Sequence, residues 1–492
     1  MKTQAGALLS SIRIDRSAGR KISVQLYMAL RDIILTGGVK AGERLPASRT
    51  LAAELDLSRT TVGNAIDRLI AEGLLEARVG AGTYVATALQ GQRVARPAGS
   101  DERGVVAQPR LSHASRHATR HFAPRGRLPH RMLPFVTALP ALDAFPMAHW
   151  ARLSARHWRA ERQEVMGYGD PFGLPRLRAA IATHLNALRG IKCDPEQIFV
   201  VGGAQQAFSL ISSLLLNPGD RVWFENPGAI GARNALVANG ADLVPVAIDD
   251  QGLVVADGLD RAPHFRLAFV TPSHQQPLGH VMSLARRLEL LQAAEDSDAL
   301  IVEDDYDGEF TYSNPPQPPL KSIDTQERVI YVGTFSKSLF PSLRVGFILS
   351  PKGLVETFSQ MSVSWLSGVP TAPQAIIADF MEEGLFATHI RAMRQVYEER
   401  HAALVTAFAP FAGRLDVQPT SGGFHTIGLL PPGASEERAV AFAGARGVVM
   451  APISRYCLTP IAARGVVLGF GSATPLEIRR AAEALSGFPG AG

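Results

Sequence analysis

Cysteine is nearly absent from this chain: Cys193 and Cys457 are the only two in 492 residues. Two thiols are too few for a disulfide framework or a zinc site, and a reducing cytoplasm is the natural compartment. Long apolar runs are missing as well. No uninterrupted stretch reaches the roughly 18 residues that a membrane span needs. The first twenty residues have charges and small side chains but no apolar segment of the kind a secretory signal carries. No membrane partner is expected. What remains is ordinary globular composition, 46% hydrophobic and 19% charged, on a length too great for one core. Two or more domains are expected.

The net charge of +5 hides an asymmetry. Residues 1–135 hold 21 Lys and Arg against 10 Asp and Glu, whereas the rest of the chain holds 29 against 35. A basic front end on an acidic body suggests that only the front meets a polyanion.

The front end has the pattern of a DNA-binding fold. Apolar residues at 22, 26, 30, 33 and 34 give one helical face over Ile22–Leu35, and Gly37-Gly38 stops it. A second short helix is expected over Ala47–Leu55. Asp56-Leu57-Ser58 makes a tight turn, and Ser58 is a good N-cap for a third helix over Arg59–Glu72. Val62, Ala65, Ile66 and Leu69 share the inner face of that helix, while Arg59, Thr60 and Thr61 occupy its first turn on the other side. This is helix-turn-helix geometry, in which the second helix enters the major groove by its N-terminal residues. Two strands, Leu74–Ala77 and Thr83–Ala86, flank a glycine-tipped wing, Arg78-Val79-Gly80-Ala81-Gly82. A plain three-helix bundle has no reason for either feature.

These residues resemble the GntR family of winged-helix repressors. Pro46-Ala47-Ser48-Arg49, Ser58-Arg59-Thr60-Thr61-Val62 and Gly80-Ala81-Gly82-Thr83 carry the likeness. The resemblance implies double-stranded operator DNA as partner, with Arg49, Arg59, Thr60, Thr61 and Gly80 as its contacts. Val79 stands where the family often has a basic residue before the wing glycine, which weakens the case for a minor-groove contact there. The expected DNA-binding domain is 1–86. Residues 87–133 are rich in Arg, Ala, Gly, Pro, His and Ser with no helical or strand period, and are expected to form a flexible basic linker. Its Arg116, Arg120, Arg125, Arg127 and Arg131 are available to DNA phosphate, although a simply solvated linker is the plainer reading.

The body, 134–492, alternates apolar strand runs with helical stretches, as expected of an α/β fold with a mainly parallel sheet. Strands are expected over Gln197–Val201, Asp220–Phe224, Arg266–Thr271, Ala299–Glu303, Arg328–Gly333 and Val345–Leu349. Ligands in such sheets bind at the carboxyl ends of strands. Polar groups gather there. Gly202-Gly203-Ala204-Gln205-Gln206 opens a helix whose free amides suit a phosphate. Pro272 to Pro277, with Gln276, follows another strand. Asp304 and Tyr306 follow a third, and Ser336-Lys337 a fourth, with Arg344 seven residues on. Lys337 offers an amine for a Schiff base with an aldehyde cofactor. Arg344 and Ser336 offer a phosphate hold. An aspartate keeps a pyridine nitrogen protonated so that the ring can withdraw electrons. Asp304 suits that role, with Asp305 as the alternative. Glu303-Asp304-Asp305 can also be read as a metal cluster. That is disfavoured beside a lysine turn with no histidine ligand in register, and no metal is expected.

From about Met132 to the C-terminus the chain resembles the fold-type I aminotransferases, the aspartate aminotransferase fold of PLP-dependent transferases. Gly167-Tyr168-Gly169-Asp170-Pro171, the Gly-Gly-Ala-Gln-Gln helix start, Glu303-Asp304-Asp305-Tyr306-Asp307 and Thr334-Phe335-Ser336-Lys337 carry that likeness. Joined to a GntR head, the whole looks like a MocR/GabR-type transcription regulator. The resemblance implies pyridoxal 5′-phosphate as cofactor. Lys337 would link to its aldehyde, Asp304 would pair with its ring nitrogen and Tyr306 would contact its ring hydroxyl. Ala204, Gln205, Ser336 and Arg344 would hold its phosphate. Tyr168 would reach the phosphate from the other subunit of a head-to-tail homodimer, and Arg455 would bind an effector carboxylate.

Two departures bear on activity. Ala229 follows Glu225-Asn226-Pro227-Gly228 where the family has an aromatic that stacks on the ring, and Gln276 replaces an asparagine near the ring oxygen. Both weaken catalysis more than binding. The expected function is therefore a regulator that senses an amine, an amino acid or the cofactor itself. The alternatives are a working aminotransferase with an accessory head and a dimerisation scaffold that no longer takes cofactor.

Overall fold

The computed structural model describes residues 12–78, 80–89, 110–124, 133–160, 162–312, 317–366 and 368–489. They fall into two compact units, Met1–Arg110 and Leu111–Gly492. Val79 and the linker arginines 125, 127 and 131 lie outside the described residues.

In the first unit, helices Ile22–Leu35, Ser48–Glu54 and Arg59–Ala71 pack around Leu26, Leu30, Leu51, Val62 and Leu69, all fully buried. The Ser58 hydroxyl accepts from the Thr61 N–H at 3.0 Å, the N-cap expected for the third helix. Asp56 in the preceding turn adopts φ 52°, the left-handed conformation that lets the chain reverse between the two helices. Strand β1 (Leu75–Arg78) pairs antiparallel with β2 (Gly82–Val85), Leu75 opposite Val85 and Arg78 opposite Gly82. Gly82 adopts φ 112°, a backbone conformation that strains any residue with a Cβ, beside the Arg44 guanidinium.

The second unit is built on an eight-stranded sheet of order β3-β10-β9-β8-β7-β4-β5-β6. Its strands are β3 (Ile198–Val201), β4 (Arg221–Asn226), β5 (Asp242–Asp249), β6 (Gly252–Leu253), β7 (Leu267–Val270), β8 (Leu300–Asp305), β9 (Val329–Thr334) and β10 (Gly346–Leu349). The centre, β5-β4-β7-β8-β9, is parallel. β10 runs antiparallel to both β3 and β9, so β3 points the same way as the parallel core. The strands are apolar because both faces are covered: Trp223, Phe224, Phe269, Ile330 and Ile348 are all 0–1% exposed. A second sheet, antiparallel throughout, joins β11 (Asp416–Val417), β12 (His425–Leu429), β13 (Ala451–Pro452) and β14 (Gly465–Gly469) in the order β11-β12-β14-β13. Among the described residues no helix is long and apolar enough to cross a membrane.

The 87–133 stretch corrects an expectation. It holds the helix His113–His121, and the second unit begins at Leu111 rather than after the linker. Ser112 caps this helix, its hydroxyl accepting from the Ser115 N–H at 3.0 Å. The helix packs on Ile230–Ala238. Among the described side chains Ala118 is the helical residue buried there, with Ala123 just beyond the C-terminal end. Alanines at those positions leave no apolar stripe, which is why no helical period shows in the sequence.

Candidate functional site

A cavity of about 290 Å³ opens at the carboxyl ends of the parallel strands. Ala204, Gln205, Gln276, Asp304, Tyr306, Ser336, Lys337, Arg344 and Arg455 all line it. The sequence had placed these nine residues at the ends of four strands and in a C-terminal turn, and the fold brings them to one wall-to-wall space. Tyr168 is not among them; its side chain is fully exposed.

Lys337 stands in the one-turn helix Phe335–Ser338 that directly follows β9, with the Thr334 hydroxyl accepting from the Ser336 N–H at 3.2 Å. The lysine Nζ donates to the Ala138 carbonyl at 2.6 Å. Asp304 is the penultimate residue of β8, which runs two residues further than its apolar pattern suggested. Its Oδ1 is buried and has no hydrogen-bond partner among the described atoms. Burial, then the charges of Asp305, Asp307 and Glu225, push its pKa well above the usual carboxylate range. Asp305 points the other way. It is ion-paired with Arg189 and accepts from the Tyr331 hydroxyl at 2.6 Å. Burial raises its pKa, but the Arg189 charge and these hydrogen bonds outweigh burial and hold it below the ordinary value. Glu303 accepts from the Leu320 and Lys321 N–H groups at 2.8 Å each. The three acids thus have three different surroundings, and of the two candidate aspartates Asp304 is the one on the cavity.

At the other end, the helix Ala204–Leu215 begins without a side-chain cap, its N-cap Gly203 at φ 86°. The Arg344 guanidinium lies across Gly203, with Cζ 3.5 Å from where a Cβ would be, and donates to the Gly202 carbonyl at 3.0 Å. The Ser336 Oγ is buried and unpartnered among the described atoms. A free helix N-terminus, a guanidinium and an unsatisfied hydroxyl form an anion cradle. Opposite it, the lone Asp304 oxygen calls for a cationic hydrogen-bond donor, since an unpaired buried carboxylate oxygen is costly. The donor set therefore fits a flat cation with a phosphate arm and an aldehyde facing Lys337.

Reasoning from sequence missed what lies behind Tyr306. Its hydroxyl donates to the His274 carbonyl at 2.8 Å, and His274 Nδ1 pairs with Asp307 Oδ2 at 2.9 Å. The His425 ring lies 4.5 Å from that of His274. His274 and Asp307 stand inside quoted motifs, but nothing in their spacing showed that loops thirty residues apart meet. Tyr456, Thr137 and Ala138 also line the cavity. Ala229 lines it too, 3% exposed, so a methyl group stands where the aromatic of the family pattern was expected.

In the first unit, Arg49, Arg59 and Thr60 are exposed, Thr61 is partly so, and Gly80 (φ 75°) is exposed at the wing tip. Neither Arg49 nor Arg59 forms an ion pair among the described residues, whereas Arg31, Arg68 and Arg78 of the same unit are held by glutamates.

Residues 22–85 match the bacterial regulatory proteins of the gntR family, and residues 139–484 match aminotransferase class I and II. The chain is 40% identical over 474 residues to the probable rhizopine catabolism regulatory protein MocR of Rhizobium meliloti, covering 96% of this chain and 94% of that one. This chain belongs to the MocR-type transcriptional regulators. The HTH-type transcriptional regulator TauR of Rhodobacter capsulatus is 32% identical over 87% of this chain and 88% of its own. Among solved structures, the multiple substrate aminotransferase of Thermococcus profundus superposes with a TM-score of 0.67 at 26% identity, over 77% of this chain and 95% of that one. The fold is thus a GntR winged helix joined to an aminotransferase fold-type I domain, and pyridoxal 5′-phosphate is the cofactor expected of that domain.

Proposed function

We propose that this regulator binds operator DNA through its winged helix and senses a primary amine or amino acid captured on pyridoxal 5′-phosphate in the body, with little or no steady-state turnover. The observation that carries the reading is the pair of unsatisfied buried atoms, Asp304 Oδ1 and Ser336 Oγ, in residues that line one cavity together with Lys337 and Arg344. When bound, the cofactor supplies an aldehyde that takes primary amines and a ring that withdraws electrons. The protein's part is to position it. Asp304 would accept from the ring nitrogen, Tyr306, its own hydroxyl fixed by the His274 carbonyl, would face the ring hydroxyl, and Ser336, Arg344 and the amides of Ala204 and Gln205 would hold the phosphate. Gln276 would stand near the ring oxygen, and Arg455 at the cavity wall would receive an effector carboxylate. Ala229 supports sensing over turnover, because a ring without its aromatic stack is less firmly aligned for proton transfer.

Arg49, Arg59, Thr60, Thr61 and Gly80 are assigned to DNA, and a cytoplasmic location beside the operator goes with that reading. The exposed Tyr168 next to the exposed Met166 supports a homodimer in which this tyrosine completes the partner subunit's phosphate cradle. The purified protein should carry a visible band, and borohydride should fix the cofactor covalently on Lys337. A protein that stays colourless with added pyridoxal phosphate would end this reading.

A further inference from the structure

The segment Ser112–Pro124 is held to the body by few and small apolar side chains. Among its described side chains only Ala118 and Ala123 are buried, while Phe122 is 40% exposed. Polar contacts fix its C-terminal end. Ala123 and Asn234 form a two-way pair: the Ala123 N–H donates to Asn234 Oδ1, and Asn234 Nδ2 donates to the Ala123 carbonyl, each at 2.9 Å. One residue on, the Pro124 carbonyl accepts from Arg455 Nε at 3.1 Å and Nη2 at 2.8 Å. Asn234 lies on the helix Ile230–Ala238, whose first residues line the cofactor cavity with Arg455. Ala123 packs in one apolar cluster with Ile230, Ile453 and Tyr456.

The guanidinium fork of Arg455 is therefore spent on one neutral carbonyl oxygen. A carboxylate offers two charged oxygens to the same two N–H groups, and charge-assisted bonds are about twice as strong as neutral ones. Both acceptors need the same face of the arginine. We propose that the Pro124 carbonyl is a displaceable stand-in for the effector's carboxylate. A carboxylate-bearing effector takes Arg455 from it and loosens the Ser112–Pro124 strap at its C-terminal end, next to the Ala123–Asn234 pair. The proposal rests on reading Arg455 as the effector-carboxylate residue. In sequence the strap is the first stretch of the second unit, next to the winged-helix unit, so a loosened strap adds its residues to the connection between the two. Each freed residue adds at most about 3.3–3.6 Å of reach. The coupling is reciprocal: whatever loosens the strap must raise affinity for the carboxylate.

The test uses the full-length, cofactor-loaded protein and reads amide hydrogen exchange over residues 112–124. The probes are glycine, β-alanine and 4-aminobutyrate, each against its methyl ester, with acetate against chloride as a carboxylate that carries no amine. At least one free carboxylate should speed exchange in the strap where its ester or chloride does not. Arg455→Gln should loosen the strap without ligand and abolish that response. Asn234→Ala, which leaves Arg455 intact, should also loosen it and lower the half-saturating concentration of the free acid by about fivefold or more, with the ester unaffected. Strap exchange indifferent to every carboxylate, or an Asn234→Ala protein with a loosened strap and unchanged acid affinity, overturns the proposal. Loss of the amine-sensing reading looks different: no amine would shift the visible band, while acetate and both variants would still report on the strap.

Discussion

Asp304 gives the sharpest test of the cofactor site, because its replacement should act in opposite directions on the empty and the loaded protein. In the empty protein, Asp304 Oδ1 is buried without a partner, and burial with three neighbouring acids holds the carboxyl's pKa well above its usual range. Asp304→Asn removes a group that resists ionisation, so the empty protein should become more heat-stable at pH 8. In the loaded protein the same oxygen should accept from a protonated ring nitrogen. A charge-assisted hydrogen bond of this kind contributes about 1.5–3 kcal/mol, which is roughly 10- to 150-fold in affinity. The covalent link through Lys337 would mask such a loss. The measurement therefore compares Lys337→Ala with Lys337→Ala/Asp304→Asn by equilibrium dialysis of pyridoxal phosphate. The double variant should bind roughly 10- to 150-fold more weakly and still show the higher melting temperature when empty. Equal affinities would remove Asp304 from the ring nitrogen and with it the orientation of the cofactor in the cavity.

Arg59→Ala should weaken operator binding by about 1–3 kcal/mol if the exposed guanidinium reads a base edge, measured by fluorescence anisotropy against random DNA; an equal loss on both would make it a phosphate contact instead. Sedimentation of the cofactor-saturated protein should give a dimer, and Tyr168→Ala should release the cofactor faster; a fully loaded monomer would refute the shared cradle. Glu225, buried and hydrogen-bonded by Thr271 and Gln275, has its pKa pushed up to about 7, chiefly by burial. The folded state holds that proton more tightly than the unfolded chain does. Its stabilising share is therefore complete below pH 4.5 and lost as pH rises through about 7, a change of about 3 kcal/mol. Glu225→Gln should flatten that part of the stability profile of the empty protein, and an unaltered profile would contradict it.

Much of this molecule was legible because its chemistry is tied to local pattern. The third helix of the head begins at Arg59 as its Ser58 cap implied, and the strand expected over Arg328–Gly333 is found at Val329–Thr334. Lys337, Asp304 and Gln276 could be placed on one ligand because parallel strands put their carboxyl ends on one edge. What escaped depends on contacts between distant segments. The strands β11 and β13 are two residues each and carry no period of their own. Among its described side chains the strap helix buries a single alanine, Ala118, which gives no apolar stripe. The choice between Asp304 and Asp305 required knowing that Arg189, more than a hundred residues away, takes the second of them.

The central claim is that one ligand-binding event in the body changes DNA binding by the head. It is tested most directly by titrating the full-length protein, bound to operator fragments selected from genomic DNA, with a panel of amines and amino acids while recording the visible band and DNA anisotropy together. The account predicts that the compound that shifts the band also changes DNA affinity at the same concentration, that Lys337→Ala abolishes both responses, and that product keto acid does not accumulate. Rapid turnover of several amino donors with DNA binding indifferent to all of them would contradict it and make the chain an aminotransferase that happens to carry a DNA-binding head.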